Sequence, residues 1–278
     1  MILSFHPIIV ADKNIICAGR DPGKEELDAI KQADAVILPQ GCRQTLYDMA
    51  VAHCQNIFPD YHAKFKFPGK IGQTGLFAHF DLPCPRTETF TSLDDFFHKT
   101  RPSHQALSFD YPFVFKFDWG GEGDNVKRIN SLAEFDSILA KAASCERTGQ
   151  YGFIIQEFIQ TDNRSLRVAV IGQKRISYWR TQSDPDQFGT AIAKGAEIDS
   201  DSDPVKQRTG IKMVNRLCEK TGINLAGIDL IFPETSGTAD PLFLEINYFF
   251  GRTGIGGSER FYGLLEEEVR IWLKNLGF

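Results

Sequence analysis

Short apolar segments with the length of buried strands alternate with helical patterns along most of this 278-residue chain. In the first third, the apolar segment DAVILP stands between two helical segments, PGKEELDAIKQA and RQTLYDMAVAHC. Strands of four to eight residues that alternate with amphipathic helices are typical of sheets covered by helices. The pattern therefore predicts an α/β protein.

The composition of the chain excludes several classes of function. A net charge of −5 and a pI near 5.7 leave no basic face for nucleic acid. No apolar run approaches the length of a membrane span, so we expect no membrane contact. The six cysteines include no CxxC pair, which favours a reducing cytoplasm over a disulfide framework or a zinc site. The 23 phenylalanines are spread along the chain and are predicted to fill cores.

The predicted elements continue in the same style after residue 62. A helix begins near Lys70, and a second helix, SLAEFDSILAKAAS, has a capping box that starts at Ser131. A hairpin is predicted around Gly172 and Gln173, and a long helix is predicted to begin with Asp203 as its N-cap. The remaining predicted strands are YPFVFKF, VKRIN, YGFIIQEFI, LAGIDLIFP and PLFLEIN.

Three oxygen-bearing side chains occupy two late strands. Asp229 lies in GIDLIF, whereas Glu245 and Asn247 lie two residues apart in EIN and therefore point to the same side of their strand. Neighbouring strands would bring the three into one coordination sphere. Carboxylate and amide oxygens are typical ligands of Mg²⁺, which in proteins usually links a few carboxylates to phosphate oxygens. The sequence thus predicts a magnesium site and, with it, a nucleotide.

A candidate phosphate site lies upstream. Lys116 ends the strand YPFVFK, and the turn that follows contains Gly120, Gly121 and Gly123. Small residues let backbone N–H groups approach a phosphate beside the ammonium. The turn lacks the GK[ST] ending of a P-loop, and taken alone it is better explained as an ordinary hairpin connection.

Five segments, in this order and spacing, resemble the ATP-grasp carboxylate–amine ligases: VFKFDWGGEGDNV, IIQEFI, LRVAVIG, AGIDLIF and FLEIN. The resemblance is greatest to RimK-like glutamate ligases and glutathione synthetases, and it extends from about Lys64 to the C-terminus. It implies an ATP-grasp fold, in which two α/β lobes enclose ATP. A short N-terminal α/β lobe precedes them in the sequence. The resemblance implies three units. Residues 1–62 form the N-terminal lobe, residues 63–155 form the subdomain that carries the lid, and residues 156–278 form the subdomain that carries the metal site.

The resemblance also implies roles for individual residues. Arg167 and Arg180 correspond to arginines near the transferred phosphate and acyl group, and Arg252 is a candidate for a substrate carboxylate. Mg²⁺ or Mn²⁺ would be bound by Asp229, Glu245 and Asn247. ATP would be bound by Lys70, Lys116, Gly120, Gly121, Gly123, Gln156, Glu157, Phe158, Ile159 and Ser165.

Two positions depart from the RimK-like pattern. Ser165 stands where the family has an acid that binds the ribose hydroxyls, and Asp162 is a candidate to replace that acid. Ala191 stands where the family has an asparagine near the phosphates or the metal.

The implied activity is that of an ATP- and Mg²⁺-dependent ligase, which forms an amide bond through an acyl phosphate. Its substrates would be a carboxylate and an amine, each a small molecule or a peptide, and a homo-oligomer is compatible with it. Two alternatives stay open, namely a regulatory ATP-binding module without ligase activity and an ATP-grasp enzyme with a thioester or phosphorylated product. Lys70 as a solvated helix lysine and Arg180 as a member of a surface ion pair also stay open.

Overall fold

The computed structural model describes residues 1–100, 108–120, 125–234 and 240–278. Over these residues the chain forms three sheets, and helices pack against each of them. The α/β prediction is confirmed. No helix among the described residues has the length and apolar character needed to cross a membrane.

The first sheet is parallel and has the order β2-β1-β3-β4. Its strands are β1 (Ile2–Ser4), β2 (Lys13–Asn14), β3 (Ala35–Ile37) and β4 (Ile57–Phe58). Helices α1 (Lys24–Lys31) and α2 (Gln44–His53) provide two of the crossovers that parallel strands require. The strand order reverses between β1 and β3, and ligands of open α/β sheets bind beyond the carboxyl ends of such a strand pair.

The opening strand is shorter than its apolar pattern predicts. β1 ends at Ser4, although the apolar segment MILSFHPIIV predicts a first strand that continues to Val10. Two side chains take up the backbone N–H groups that follow. Ser4 Oγ accepts from the His6 N–H at 3.1 Å, and His6 Nδ1 accepts from the N–H groups of Ile8 and Ile9 at 3.2 Å each. Local hydrogen bonds of this kind compete with the sheet ladder and end the strand.

The second sheet is antiparallel and has the order β5-β8-β6-β7. Its strands are β5 (Thr87–Phe90), β6 (Phe113–Phe117), β7 (Val126–Ile129) and β8 (Phe153–Glu157). Helices α3 (His62–Lys66) and α4 (Gly69–His79) precede it, and α5 (Leu93–Thr100) and α6 (Leu132–Glu146) pack on it. Its core contains many of the phenylalanines, including the stacked pair Phe115 and Phe153, in agreement with their predicted role.

The third sheet is antiparallel and has the order β11-β10-β9-β12-β13. Its strands are β9 (Arg164–Ile171), β10 (Lys174–Thr181), β11 (Glu197–Asp199), β12 (Leu225–Ile231) and β13 (Leu242–Asn247). Ile171 pairs with Lys174, so the predicted hairpin has Gly172 and Gln173 as its two-residue turn. Helices α7 (Pro204–Thr221) and α8 (Gly257–Asn275) pack against this sheet.

The two predicted helix caps have different outcomes. Ser131 Oγ accepts from the Glu134 N–H at 3.3 Å, which confirms that cap, although the Glu134 carboxylate accepts from the N–H of Asn130 and not from that of Ser131. Asp203 occupies the predicted N-cap position, with Pro204 at N1, but its side chain makes no capping hydrogen bond. Its φ of +47° is left-handed, and its carboxylate pairs with the Arg164 guanidinium instead.

The three sheets follow the three predicted units of the chain, and we retain that division as a proposal. β8 runs across the boundary at 155/156, so Gln156 and Glu157 belong to the second sheet. Helix α4 contacts β5, β8 and β13, and it therefore joins the second sheet to the third. Helix α8 shares a core with Ile37 of the first sheet and Ile171 of the third.

Candidate active site

A cleft of about 620 Å³ opens between the second and third sheets. Lys116 and Gln156 line it from the second sheet, and Ser165 lines it from the third. A smaller cavity, lined by Lys70 and Glu245, also contains Lys116 and Gln156 in its wall. The two spaces therefore adjoin at residues that the sequence predicted to bind a nucleotide.

The predicted metal ligands meet at the pairing of β12 with β13. In this antiparallel register Asp229 lies opposite Glu245, and Gly227 lies opposite Asn247, with an irregularity just after Asp229. The Nδ2 of Asn247 donates to Oδ2 of Asp229 at 3.2 Å. The strand pairing thus brings together Asp229, Glu245 and Asn247, although Asp229 and Asn247 are 18 residues apart in the sequence.

Two arginines neutralise Asp229 where the carboxylate is buried. Both terminal oxygens are engaged by Arg167, with Nη2 at 2.9 Å from Oδ2, and Arg180 Nη2 lies 2.8 Å from Oδ1. Burial would raise the pKa of Asp229, but the charges and hydrogen bonds of Arg167 and Arg180 outweigh it and hold the pKa below its usual value. Arg180 is therefore part of a buried network, and its alternative reading as a member of a surface pair is wrong.

Lys116 lies on β6 of the second sheet, and its buried ammonium shares a cavity wall with Glu245 of β13. The residue is 7% exposed, and its Nζ forms no ion pair or hydrogen bond with the described residues. Burial lowers the pKa of Lys116 to about 8, with Glu245 and Asp229 acting against the shift and Lys70 adding to it. The ammonium is thus poorly compensated and suited to an anionic ligand.

Lys70 lies near the same acids and the glycine turn. Its Nζ is 3.6 Å from Oε1 of Glu245, and it donates to the carbonyl of Gly120 at 3.4 Å. The Lys70 side chain is only 10% exposed, so its alternative reading as a solvated lysine is wrong.

Gly120 is required by the backbone of the turn. Its φ is +82°, and a Cβ there would lie 2.0 Å from Nδ2 of Asn125. Gly121 and Gly123, which the sequence assigned to the same turn, lie outside the described residues. The assignment of the turn as a lid therefore stays a prediction.

The side chain of Gln156 has a fixed orientation at the predicted adenine site. Thr87 Oγ1 donates to the carbonyl of Pro85 at 2.8 Å, so it must accept the hydrogen bond that Gln156 Nε2 makes to it at 2.8 Å. Oε1 of Gln156 therefore stays available as an acceptor in the cleft. Residues 156–159 all line that cleft, including Glu157 and Ile159.

The sequence reasoning missed Arg128, which lies on β7 and lines the cleft. Its guanidinium carbon lies 4.7 Å from the ring centroid of Phe158, so the pair forms one wall beside residues 156–159. The segment VKRIN gave no signal of this role, because two consecutive charged residues, Lys127 and Arg128, on a short strand usually mark a solvated position. Only the packing of β7 beside β6 places Arg128 over the cleft.

Ser165 is not a simple substitute for an acid. Its Oγ lies 2.5 Å from Oγ1 of Thr190 and accepts from Arg180 Nη2 at 3.0 Å. Asp162 pairs with Arg164 at 3.5 Å and does not line the cleft, whereas Thr190 does. Ala191 begins a short 3₁₀ turn at residues 192–194 beside Thr190.

Arg252 lies outside the cleft, on the loop between β13 and α8. Its guanidinium carbon lies 4.6 Å from the ring centroid of Phe261 and 4.4 Å from that of Tyr262. The predicted substrate contact is thus held apart from the predicted nucleotide contacts, on the side of the first sheet.

Two sheets meet across a cleft, with Lys116 on one, paired carboxylates on the other, and Lys70 on helix α4, which contacts both sheets. This arrangement is typical of an ATP-grasp protein. The family model of the RimK-like ATP-grasp domain matches residues 76–263, about two thirds of the chain. The chain therefore belongs to the RimK-like ATP-grasp family, as its five segments predicted.

Individual relatives agree with this assignment. A probable alpha-L-glutamate ligase from Azotobacter vinelandii is 25% identical over 229 residues, which are 80% of this chain and 70% of the relative. An alpha-aminoadipate–LysW ligase, LysX, from Saccharolobus solfataricus is 26% identical over 141 residues, which cover 50% of this chain and 49% of that protein. The crystal structure of a RimK domain ATP-grasp protein from Sphaerobacter thermophilus superposes with a TM-score of 0.60 at 15% identity, over 85% of this chain and 81% of that one.

Proposed function

We propose that this protein is an ATP-dependent ligase that joins a carboxylate to an amine. The observation that carries the proposal is the buried Lys116 ammonium, which has no partner of its own among the described residues and lies near Glu245 and Asp229 beside a nucleotide-sized cleft. Membership of a family whose named relatives are ligases confirms the predicted class of enzyme. The alternative of a regulatory module without ligase activity has no support from these relatives.

The donor set at β12 and β13 fits a magnesium ion. Glu245 and Asn247 offer hard oxygens, and Oδ1 of Asn247 accepts no hydrogen bond from a described residue. Both oxygens of Asp229 already accept from arginines, so Asp229 would bind the ion through their remaining lone pairs. The set contains two carboxylates and one amide. It is therefore distinct from a cluster of three or more His, Cys, Asp or Glu residues, of which the described residues include none suited to a metal. Mg²⁺ or Mn²⁺ bound there would neutralise phosphate charge, and the two arginines on Asp229 would fix the orientation of that ligand.

The protein's own side chains provide charge and position. Lys116 and Lys70 would bind phosphate oxygens, and Arg180, which joins Asp229 to Ser165, would lie near the transferred group. In this reaction class ATP supplies the phosphoryl group that activates a carboxylate, after which an amine displaces phosphate. Such catalysis depends on positioning and on charge stabilisation, and it requires no nucleophile from the protein.

The substrate class that we propose is an amino acid or a peptide, by analogy with the glutamate and aminoadipate in the relatives' names. We place the protein in the cytoplasm, because all six cysteines are free thiols and three of them are buried.

An ADP-release screen with Mg²⁺, ATP and mixtures of amino acids and peptides tests the proposal. We expect release that requires both an acid and an amine, and we expect Glu245→Gln to lower it at least about 100-fold, since the variant loses one metal-binding charge. Glu267→Gln is the matched control, because that exposed glutamate pairs only with Lys174 at the surface. Tight nucleotide binding without any turnover would favour the regulatory alternative, and release that needs a thiol would favour a thioester product.

Thr87→Val is expected to weaken the preference for adenine over guanine. The valine keeps the shape of threonine but cannot accept from Nε2 of Gln156, so the amide can rotate and present N–H₂ to the O6 of guanine. A net hydrogen bond corresponds to a change of up to about tenfold, which we expect in the ratio of ATP to GTP affinity measured by calorimetry. Thr87→Ser retains the hydroxyl and should retain the ratio. Equal ratios in all three proteins would contradict this role of Thr87.

A further inference from the structure

Gln40 is a buried side chain with an unused donor. It lies three residues beyond β3, at the carboxyl edge of the first sheet where the strand order reverses between β1 and β3. The residue is 6% exposed, and its Nε2 has no hydrogen-bond partner among the described residues. Its Oε1 accepts from Nη2 of Arg252 at 3.4 Å. Because a buried N–H₂ group is costly to leave without an acceptor, the position indicates a polar ligand.

Arg252 supplies a positive charge to the same place. Its guanidinium lies over the rings of Phe261 and Tyr262, and it donates to two neutral acceptors, Oε1 of Gln40 and Oγ of Ser258, at 3.4 Å each. Within the part of the chain that the structure describes, no carboxylate lies within 4.0 Å of this guanidinium. The two aromatic rings fix the position of the guanidinium group, and its positive charge has no anionic partner among the described residues.

His6 adds a neutral donor from the neighbouring strand. It follows β1, and its ring lies 6.0 Å from that of Tyr262, edge to face. Nδ1 accepts two backbone N–H groups, so the proton of the neutral ring is on Nε2, which donates to no described residue. Burial and the nearby charge of Arg252 lower the pKa of His6 to about 4, so the ring is neutral at pH 7.

This cluster adjoins the proposed reaction centre on the side away from the nucleotide cleft. Two residues after Arg252, a Cβ built on Gly254 would lie 2.3 Å from the ring of Tyr178, so the loop packs directly on that tyrosine. Tyr178 lies opposite Arg167 in the pairing of β9 with β10, and Arg180 follows two residues later on the same strand, so the tyrosine is close to both arginines. None of Gln40, Arg252 and His6 lines the nucleotide cleft.

We propose that Gln40, Arg252 and His6 form a subsite for a substrate carboxylate other than the group that reacts. A planar guanidinium and a side-chain amide N–H₂ can donate to both oxygens of a carboxylate, and the apolar rings around them exclude water from the contact. The inference rests on the proposed ligase function, and it defines the substrate as an amino acid or peptide with a second, free carboxylate. In this reading Gln40 determines specificity from a lobe that the family resemblance left without any assigned residue.

The test measures binding by calorimetry in the presence of Mg²⁺ and a non-hydrolysable ATP analogue. The probes are L-glutamate and its two amides, L-glutamine and L-isoglutamine, each of which replaces one carboxylate. Wild-type protein is expected to bind glutamate at least about tenfold more tightly than one of the amides. Arg252→Met and Gln40→Glu are expected to abolish that difference, since the first removes the charge and the second places a competing carboxylate beside Arg252.

The controls separate recognition from folding. Arg252→Lys keeps a positive charge and is expected to retain part of the preference, whereas Gln40→Met keeps the volume of Gln40 but loses the donor and is expected to weaken glutamate binding. Arg270→Met removes an exposed arginine that pairs with Glu266 and should change nothing. All variants are expected to retain the wild-type affinity for the ATP analogue, which shows that they are folded.

The outcomes distinguish this inference from the proposed function. If the difference between glutamate and its amides is the same in Arg252→Met as in the wild type, or if no probe binds at millimolar concentration, the subsite is wrong. Turnover of glutamate at an unchanged rate in Arg252→Met would likewise overturn it while leaving the ligase function intact. Binding of glutamate that depends on Arg252, together with no ADP release in any mixture, would support the subsite and contradict the ligase.

Discussion

Lys116→Met is expected to abolish ADP release and, at the same time, to raise the free energy of unfolding at pH 7. Loss of the ammonium removes the strongest fixed charge facing the phosphates, for which we expect a reduction in rate of at least about 100-fold. The stability should increase because the buried charge is poorly compensated in the free protein. A pKa of about 8, against an ordinary value near 10.5, corresponds to a cost of about 3 kcal/mol.

The stability difference between the wild type and Lys116→Met should depend on pH in a defined direction. The folded pKa of Lys116 is below the unfolded value, so between about pH 8 and pH 10.5 the unfolded chain binds more protons than the folded one. The cost of the buried charge is therefore fully present below pH 8 and is relieved as the pH rises above it. The wild type should gain stability relative to Lys116→Met across that interval, until the two proteins become similar.

Urea unfolding at pH 7 and pH 10, followed by circular dichroism, checks both parts. Lys174→Met is the control, because that lysine pairs with Glu267 near the surface and its loss should change stability by well under 1 kcal/mol. A lower midpoint for Lys116→Met than for the wild type at pH 7 would show that the ammonium is compensated in a way that the described contacts do not include.

Asp229→Asn is expected to have the opposite effect on stability. Asp229 is 3% exposed and is the shared anion of Arg167 and Arg180, so the amide would leave two buried guanidinium groups without a counter-charge. Breaking a buried pair by removing one partner costs about 3–5 kcal/mol, which we expect in the free energy of unfolding. ADP release should be lost as well, since the variant removes a proposed metal ligand.

A double-mutant cycle separates the ion pair from other effects of the substitution. Arg167→Met combined with Asp229→Asn should cost less than the sum of the two single changes, because the first removes part of the charge that the second leaves unpaired. Additive costs would mean that Asp229 stabilises the fold by some route other than Arg167. The stabilising contribution of Asp229 should be full above its unfolded pKa near 3.8 and should fall at lower pH, because its folded pKa is lower still.

Lys116 and Asp229 also show why the direction of a side chain on its strand was easier to predict than the residues it contacts. Local periodicity determines the direction of a side chain, and this is why Glu245 and Asn247 could be placed on one side of β13 from the letters EIN alone. The direction does not reveal what lies opposite. Asp229 was predicted as a ligand with free oxygens, yet in the fold two arginines engage them.

The same division applies to the ends of secondary structure. The turn at Gly172 and Gln173 and the cap at Ser131 depend on residues within a few positions of each other, and both predictions are confirmed. Asp203 stands at the predicted N-cap position but makes no capping hydrogen bond, because its carboxylate pairs with Arg164, which is 39 residues away. A local signal is reliable only where no distant partner competes for the same side chain.

The sequence by itself determined the α/β class, the strands that carry the site, and which side chains share a strand face, because these follow from spacing within one segment. The order of five such segments indicated the family. Only the tertiary structure decided that Lys116 has no partner within the described part of the chain, that Arg128 lies over Phe158, and that Gln40 meets Arg252 from 212 residues away. Such contacts arise where separate sheets pack against each other. No periodicity within one segment encodes the distance between two atoms on different sheets, so that distance has to be read from the fold.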